Sequence, residues 1–314
     1  MVACPHALAS AAGVDALRAG GSAVDAALAA AGVLAVVYPH MCGVGGDAFW
    51  LIYDARRGKV DYLEGGGRAA ANGSLDFFQQ KDLAEIPFRG ILPATLTTPG
   101  AVASWCEAHA RYGKLPLSKD LERAIGYARE GYPASERLAR WIALTAAELG
   151  GDPGCRSLFL PGGESPRENS LLANPALART LEAIAAQGRE GFYEGEVAKA
   201  LGRFSREHGG FFTARDLAAQ EATWGEPLRG GYRGVTICET PAPTQGFTVL
   251  EMLNLVEPFE LAKKPWLGPD HLHLLVQAKQ IAYHDRDRVL ADPRFADVPL
   301  ERLVSKEHAS RRRS

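Results

Sequence analysis

The stretch YPHMCGVGGDAFWLIYD, Tyr38 to Asp54, gathers an imidazole, a thiol and a carboxylate (His40, Cys42 and Asp47) around a run of glycines. Three uses of such a turn can be weighed. A phosphate cradle needs a glycine loop that opens a helix, so that backbone N–H groups and the helix dipole meet the anion. Here the residues after Asp47 are β-like, and no Lys-Ser or Lys-Thr pair follows the glycines. A Cys42 nucleophile needs a base and an orienting group close in space. His40 is only two residues away, but neighbours on an extended turn need not meet, and lone cysteines are mostly small core residues. What remains is a packing turn, whose glycines bring the backbone close to other elements. That reading names no chemistry by itself.

Other reactive pairings are weaker still. His271 and His273 fall on different faces of a helix, which disfavours a shared metal. Tyr283-His284-Asp285-Arg286-Asp287-Arg288 reads as an exposed helical turn with local ion pairs, each contributing roughly a few tenths of a kcal/mol. No G-x-S-x-G elbow is present. The chain carries pocket-like chemistry but no nucleophile.

The elements that must position these residues follow from caps and breakers. Apolar spacing predicts a helix from His6 to Ala19, stopped by Gly20-Gly21. Ser22 caps a second, alanine-rich helix over Ala23 to Val37, whose small side chains suit close packing against a sheet. Phe49–Tyr53 and Val60–Leu63, joined by a loop with Gly58, read as a hairpin. Gly65-Gly66-Gly67 then permits unusual backbone angles before Arg68. Pro99 to about Leu149 is helical, broken at Gly113 and at Gly131-Tyr132-Pro133. Gly151 to Asn174 reads as a surface excursion. Asn174-Pro175 opens a helix to about Gln187, another covers Glu194 to His208, and a short one starts at Thr213. A second β region spans Glu226 to Glu239. After the turn at Pro241–Gly246, helices fill most of Phe247–Leu255 and Asp270–Leu290. No linker, repeat or low-complexity tract divides residues 1–314, which reads as a single domain. The polar, basic last residues are expected outside the core.

Composition narrows the class. Of 314 residues, 46% are apolar and 23% charged, as in an ordinary globular protein. A formal net charge of −2 gives no field to attract nucleic acid or an anionic membrane. Five scattered cysteines without a C-x-x-C pair argue against a disulfide framework or a zinc site and suit a reducing compartment. The N-terminus has no signal-peptide pattern, and Ala26 to Val37 is too short to span a bilayer. The expectation is a cytoplasmic protein, or a periplasmic or secreted one if a leader has been lost.

With its elements in order, the chain resembles the γ-glutamyltransferase family over nearly its whole length. The resemblance is carried by AGVDALRAGGSAVDAALAAAGVLAVVYPHMCGVGGDAFWLIYD, TTPGAVASWCEAHARYGKLPL, NPALARTLEAIAAQGREGFYEGEVAKAL, GGFFTARDLAAQ, YRGVTICETPAPTQGFTVLEMLNLVE and QAKQIAYHDRDRVLADPRF, in that order. It extends only to the family's large subunit, which explains the missing nucleophile. Family members are made as one precursor that cuts itself, and the small subunit begins with the catalytic threonine. The resemblance therefore implies the αββα four-layer sandwich of N-terminal nucleophile hydrolases, shared between both chains, with the scissile junction beyond Ser314. It implies no metal or organic cofactor, and as partners a small subunit from the same precursor and a γ-glutamyl or similar acyl-amide substrate.

One departure from the family pattern bears on substrate choice. The family's arginine that grips the substrate α-carboxylate aligns with Glu64, and the nearest arginine is Arg68, past the glycine triplet. A guanidinium makes a paired, charge-assisted contact with a carboxylate, whereas Glu64 would repel it. Either Arg68 reaches the substrate, or the substrate lacks that carboxylate, as in the family's acylases of glutaryl-type side chains. For Arg68 the competing reading is a surface arginine. By the same alignment Thr244 and Gln245 line the pocket, against the alternative of a turn capped by Thr244, and Asp47 stands where commoner members have glycine. The expected function is acyl transfer or hydrolysis at a γ-glutamyl or related amide, with a non-catalytic binding homologue as the rival of another class.

Overall fold

The computed structural model describes residues 1–80, 85 and 96–313. The chain falls into two compact units, Met1–Ala48 with Gly65–Thr223, and Phe49–Glu64 with Trp224–Ser314.

The first unit is mostly helical. The helix Ala7–Arg18 opens where His6 Nδ1 accepts the Leu8 N–H at 3.2 Å. Ala23–Val37 opens with a reciprocal box: Ser22 Oγ accepts from the Val24 and Asp25 N–H groups at 3.1 and 3.2 Å, and the Ser22 N–H donates to Asp25 Oδ2 at 2.5 Å. The small residues of this helix bring neighbouring helices close against it. A Cβ on Gly32 would lie 2.8 Å from Leu121 Cδ2, and one on Gly13 would lie 2.8 Å from the Ala26 carbonyl oxygen. Leu117–Glu130 packs on one side of Ala23–Val37, buries Leu121, Ala124 and Ala128 completely, and meets Pro175–Gln187 beyond. Pro175–Gln187 begins where the sequence places it, with Asn174 Oδ1 accepting from the Leu177 N–H at 3.0 Å.

One expectation in this unit needs correction and another needs an addition. Gly151–Asn174 is not a bare excursion. It holds the helix Pro153–Phe159, and Leu171–Leu172 pairs antiparallel with Tyr132–Pro133, burying Leu160 and Leu172. The expected Glu194–His208 helix is present as Glu196–Glu207, and a further short helix that was not expected, Arg189–Tyr193, precedes it.

In the second unit, strands Ala48–Asp54 and Lys59–Gly65 form the expected hairpin, and Thr223–Gly225 joins it on the side of Lys59–Gly65. Leu228–Tyr232 and Val235–Glu239 make a separate antiparallel ribbon. Helix Phe247–Val256 packs on this ribbon, on the long helix Pro269–Val289 and on Lys306–Arg313. Leu255, Val256, Ala278 and Ala309 form the core there, with Met252, Leu275 and Ile281 against it. At roughly 1.5–3 kcal/mol for each large side chain buried, this cluster holds the unit together. The basic last residues do lie outside the core, with Arg311 and Arg313 exposed, but their helix rests on it through fully buried Ala309, and Arg313 Nη1 donates to the Asn254 carbonyl at 2.9 Å.

Candidate functional site

In the first unit, the opening turn meets the glycine triplet through backbone contacts. Gly46 O accepts from the Gly100 and Ala101 N–H groups at 3.0 and 2.8 Å. Asp47 Oδ1 accepts the Gly67 N–H at 2.7 Å, so the exposed Asp47 side chain fastens the triplet. The packing reading therefore holds, but the crowding lies elsewhere than the sequence suggests. Cβ atoms on Gly43, Gly45 and Gly46 would meet nothing closer than 3.7 Å. A Cβ on Gly67 would sit 1.9 Å from the Thr98 carbonyl oxygen, and one on Gly100 2.4 Å from that of Gly65. Only glycine fits at those two positions. Tyr193 locks the adjoining turn from beneath: its hydroxyl donates to Pro99 O at 2.8 Å and accepts the Ala103 N–H at 3.0 Å.

Arg68 projects from this fixed base. Its N–H donates to Gln220 Oε1 at 3.2 Å, and its carbonyl accepts the Thr98 N–H at 2.9 Å. The Arg68 side chain is exposed, and among the described residues its guanidinium has no hydrogen-bond or ion-pair partner. Gln220 is the residue that sequence reasoning missed. It is buried, and its Nε2 donates to the Gly66 carbonyl at 3.1 Å, so one amide straddles the backbone on both sides of Gly67. The only available signal was its place at the end of the GGFFTARDLAAQ block.

In the second unit, Thr244 and Gln245 differ in what they offer. Thr244 Oγ1 lies against the Thr240 hydroxyl, within 3.0 Å of the Thr240 and Pro241 carbonyls, and accepts the Gly246 N–H at 3.3 Å. The hydroxyl is thus engaged inside a turn that also contains a cis Ala242–Pro243 bond. Gln245 is exposed, and its Oε1 accepts from Arg286 Nη1 at 2.8 Å. Arg286 stacks over the Tyr283 ring at 4.1 Å and pairs with Asp287. Glu64 sits half-buried at the end of its strand. Its charge acts on two neighbours: after burial it is the second cause raising the Tyr62 hydroxyl, and it helps raise Arg294, whose chief partner is Asp292. An arginine does lie within electrostatic reach of the Glu64 position, supplied by the later ADPRF segment. The structure keeps Asp47 and Arg68 in one unit and Glu64, Thr244 and Gln245 in the other.

The Tyr283–Arg288 turn is more than a solvated face. Asp285 is half-buried and accepts from His308 Nε2 at 2.9 Å and from Arg312 through both oxygens, at 3.0 and 3.1 Å. Burial would raise Asp285, but His308, Glu251 and Arg312 outweigh it and hold the carboxyl low. Fully buried Glu251, beside them, is pushed up to about 8 by burial first and by Asp285 second. Among the described residues one further donor group is close enough to share a cation, Asp25, His109 and Asp120, and neither group includes His271 or His273. Burial and then the Asp25 charge push Asp120 up to about 8. The opening turn's thiol is not primed: burial first, then Cys4, raises Cys42.

Comparison with known proteins assigns the chain to a family. The gamma-glutamyltranspeptidase family model matches residues 9–314, and the chain belongs to that family. Its fold is accordingly that of the N-terminal nucleophile hydrolases. The chain is 38% identical over 309 residues to a glutathione hydrolase-like YwrD proenzyme of Bacillus subtilis (strain 168), covering 98% of itself and 58% of that protein. It is 37% identical to an acylase ACY 1 proenzyme of Pseudomonas sp. (strain V22), covering all of itself and 58% of the relative. Among solved structures, Helicobacter pylori gamma-glutamyltranspeptidase superposes with a TM-score of 0.93 at 30% identity, over 100% of this chain and 90% of that one. The chain thus spans a little under three fifths of the curated relatives' length. Among the described residues no helix is long and apolar enough to cross a membrane.

Proposed function

We propose that this chain is the large subunit of an N-terminal nucleophile enzyme that hydrolyses or transfers a γ-glutamyl or related acyl group. The attacking hydroxyl belongs to a threonine at the start of a small subunit cut from the same precursor. Its own α-amine takes the proton, the hydroxyl oxygen adds to the amide carbonyl, and the amine leaves. Backbone N–H groups stabilise the oxyanion, and water or an acceptor amine then resolves the acyl-threonine. The family match across residues 9–314 carries this reading. A supporting feature is the face of the strand Ala48–Asp54 that displays Phe49, Leu51 and Tyr53, exposed by 39, 39 and 66%. Such an apolar strand face suits burial against a companion chain.

Arg68 is the carboxylate anchor in this proposal, because its guanidinium has no partner among the described residues and its backbone is fixed at Gly67. A second reading, an acylase for dicarboxylic side chains lacking an α-amino acid head, is favoured by Glu64, which disfavours an α-carboxylate beside it, and by the near-equal identity to an acylase.

Two measurements on the full-length protein test the proposal. Mass spectrometry is expected to find two polypeptides, the smaller opening with threonine. An uncut chain, or a fragment opening with an inert residue, points instead to a non-catalytic homologue. Rates with γ-glutamyl-p-nitroanilide and its glutaryl analogue then separate the two enzymatic readings. A strong preference for the glutaryl compound selects the acylase.

A further inference from the structure

Three helix ends of the first unit converge on a group of side chains that the proposed chemistry does not use. Asp25 lies in the first turn of Ala23–Val37, Asp120 in the first turn of Leu117–Glu130, and His109 in the last turn of Ala101–Tyr112. One donor atom from each lies within 4.8 Å of the other two. His109 Nε2 is 3.9 Å from Asp25 Oδ1 and 3.7 Å from Asp120 Oδ2. The Leu115 carbonyl oxygen is 2.8 Å from the same nitrogen.

Asp120 is the anomaly. Its side chain is fully buried, yet neither carboxylate oxygen has a hydrogen-bond partner among the described residues. A second carboxylate, Asp25, stands beside it and is its hydrogen-bond partner only when Asp120 carries a proton. Asp25 is itself held ionised: burial opposes this, but N–H groups of Ser22, Lys114 and Leu115 outweigh it. Among the described residues no Lys or Arg side chain pairs with either acid. The positive ends of two helices offset part of this charge, but an uncompensated buried carboxylate costs several kcal/mol. The group calls for a counter-charge.

We propose that Asp25 Oδ1, Asp120 Oδ2, His109 Nε2 and the Leu115 carbonyl form a site for one divalent first-row cation, Zn²⁺ or Mn²⁺. Two carboxylates and a dication sum to neutrality. One imidazole nitrogen with three oxygens is a donor set of intermediate hardness, which suits these ions better than Mg²⁺ or a thiolate-seeking metal. Bonds of about 2.0–2.2 Å place neighbouring ligands roughly 3–4 Å apart, close to the spacing seen here. Asp25 Oδ1 has room for the ion, since its backbone contacts are long, 3.1 Å to the Lys114 N–H and 3.4 Å to that of Leu115. His109 binds with its proton on Nδ1, and the Leu115 carbonyl exchanges its Nε2–H partner for the metal. Asp120 also borders a cleft of about 620 Å³ lined by Asp15, Lys119, Arg123 and Tyr127, while its carboxylate oxygens are sealed from that cleft. The ion clamps three helix ends and takes no part in acyl transfer.

The test uses full-length protein stripped with EDTA, titrated separately with Zn²⁺ and Mn²⁺ by calorimetry and thermal unfolding. The wild type is expected to bind one ion per chain and to rise in Tm. Asp120→Asn is expected to lose both effects while its metal-free Tm stays at or above that of the stripped wild type, because an unpaired buried charge has been removed. His109→Gln, a second variant, is expected to lose the ion as well. A wild type that binds neither ion stoichiometrically overturns the proposal, and so does one whose binding survives both substitutions. In the first case a proton on Asp120 supplies the neutralisation instead.

Discussion

The Gln220 amide and the Asp47 carboxylate, with the Thr98 N–H, fix the backbone from which Arg68 reaches out. Each contact is local in space and distant in sequence, with 152 residues separating Gln220 from Arg68. Nothing in the spacing of either residue discloses the other. What was legible at this scale was the glycine triplet and the oddity of an arginine just beyond it. The Thr244 hydroxyl was legible only as an alternative, and the structure occupies it with the turn. Because the Arg68 side chain is exposed and its backbone is held independently, Arg68→Ala should leave folding intact. On carboxylate-bearing donors it should raise KM roughly 10- to 100-fold with little change in kcat, as expected for losing a charge-assisted contact of about 1.5–3 kcal/mol. Steady-state kinetics checks this, and an unchanged KM removes Arg68 from the substrate's surroundings.

Among the elements, those with strong caps were readable. Ser22, Asn174-Pro175 and Thr213 start helices where their hydrogen-bonding chemistry demands it, and the hairpin followed from alternation around Gly58. The pairing of Tyr132–Pro133 with Leu171–Leu172 was not readable, because a two-residue ladder has too little pattern to show before its partner is known. The glycines divided in the same way. Sequence gave equal weight to the glycines of the opening turn and of the triplet, whereas only the structure distinguishes open space from a carbonyl. This makes a sharp contrast testable. Gly67→Ala should lower Tm steeply or abolish soluble protein, since the new methyl must displace the Thr98 backbone, and overpacking costs typically 1–3 kcal/mol and occasionally more. Gly45→Ala, with nothing within 4 Å of its Cβ, should be close to neutral in the same melting assay.

For the molecule as a whole, the fold class was legible through the order of motif blocks. The electrostatics were not, because Glu251, Asp285, His308 and Arg312 come from three helices whose packing no local pattern encodes. That cluster gives the protein a pH dependence whose sign can be worked out. Glu251 moves from an ordinary value of 4.5 to about 8 on folding. Folding therefore favours its protonated form, whose contribution is complete below pH 4.5 and lost as pH rises through 8. Asp285, held low by its partners, works in the opposite sense and loses its contribution only in acid. Glu251→Gln should flatten the fall in Tm between about pH 4.5 and pH 8, and an unchanged slope would sink the assignment.

The glycine-locked base under Arg68 also carries a lesson for redesign. With Gly65 and Gly67 sealed against neighbouring carbonyls, the loop cannot slide to meet a shorter or longer guest molecule. In the proposed role of Arg68 as carboxylate anchor, adjustment is left to the length of the side chain at position 68 itself. Lysine, citrulline-like or truncated replacements there amount to a ruler for reading acyl-group size, whereas insertions into the triplet would break the mount that holds the ruler.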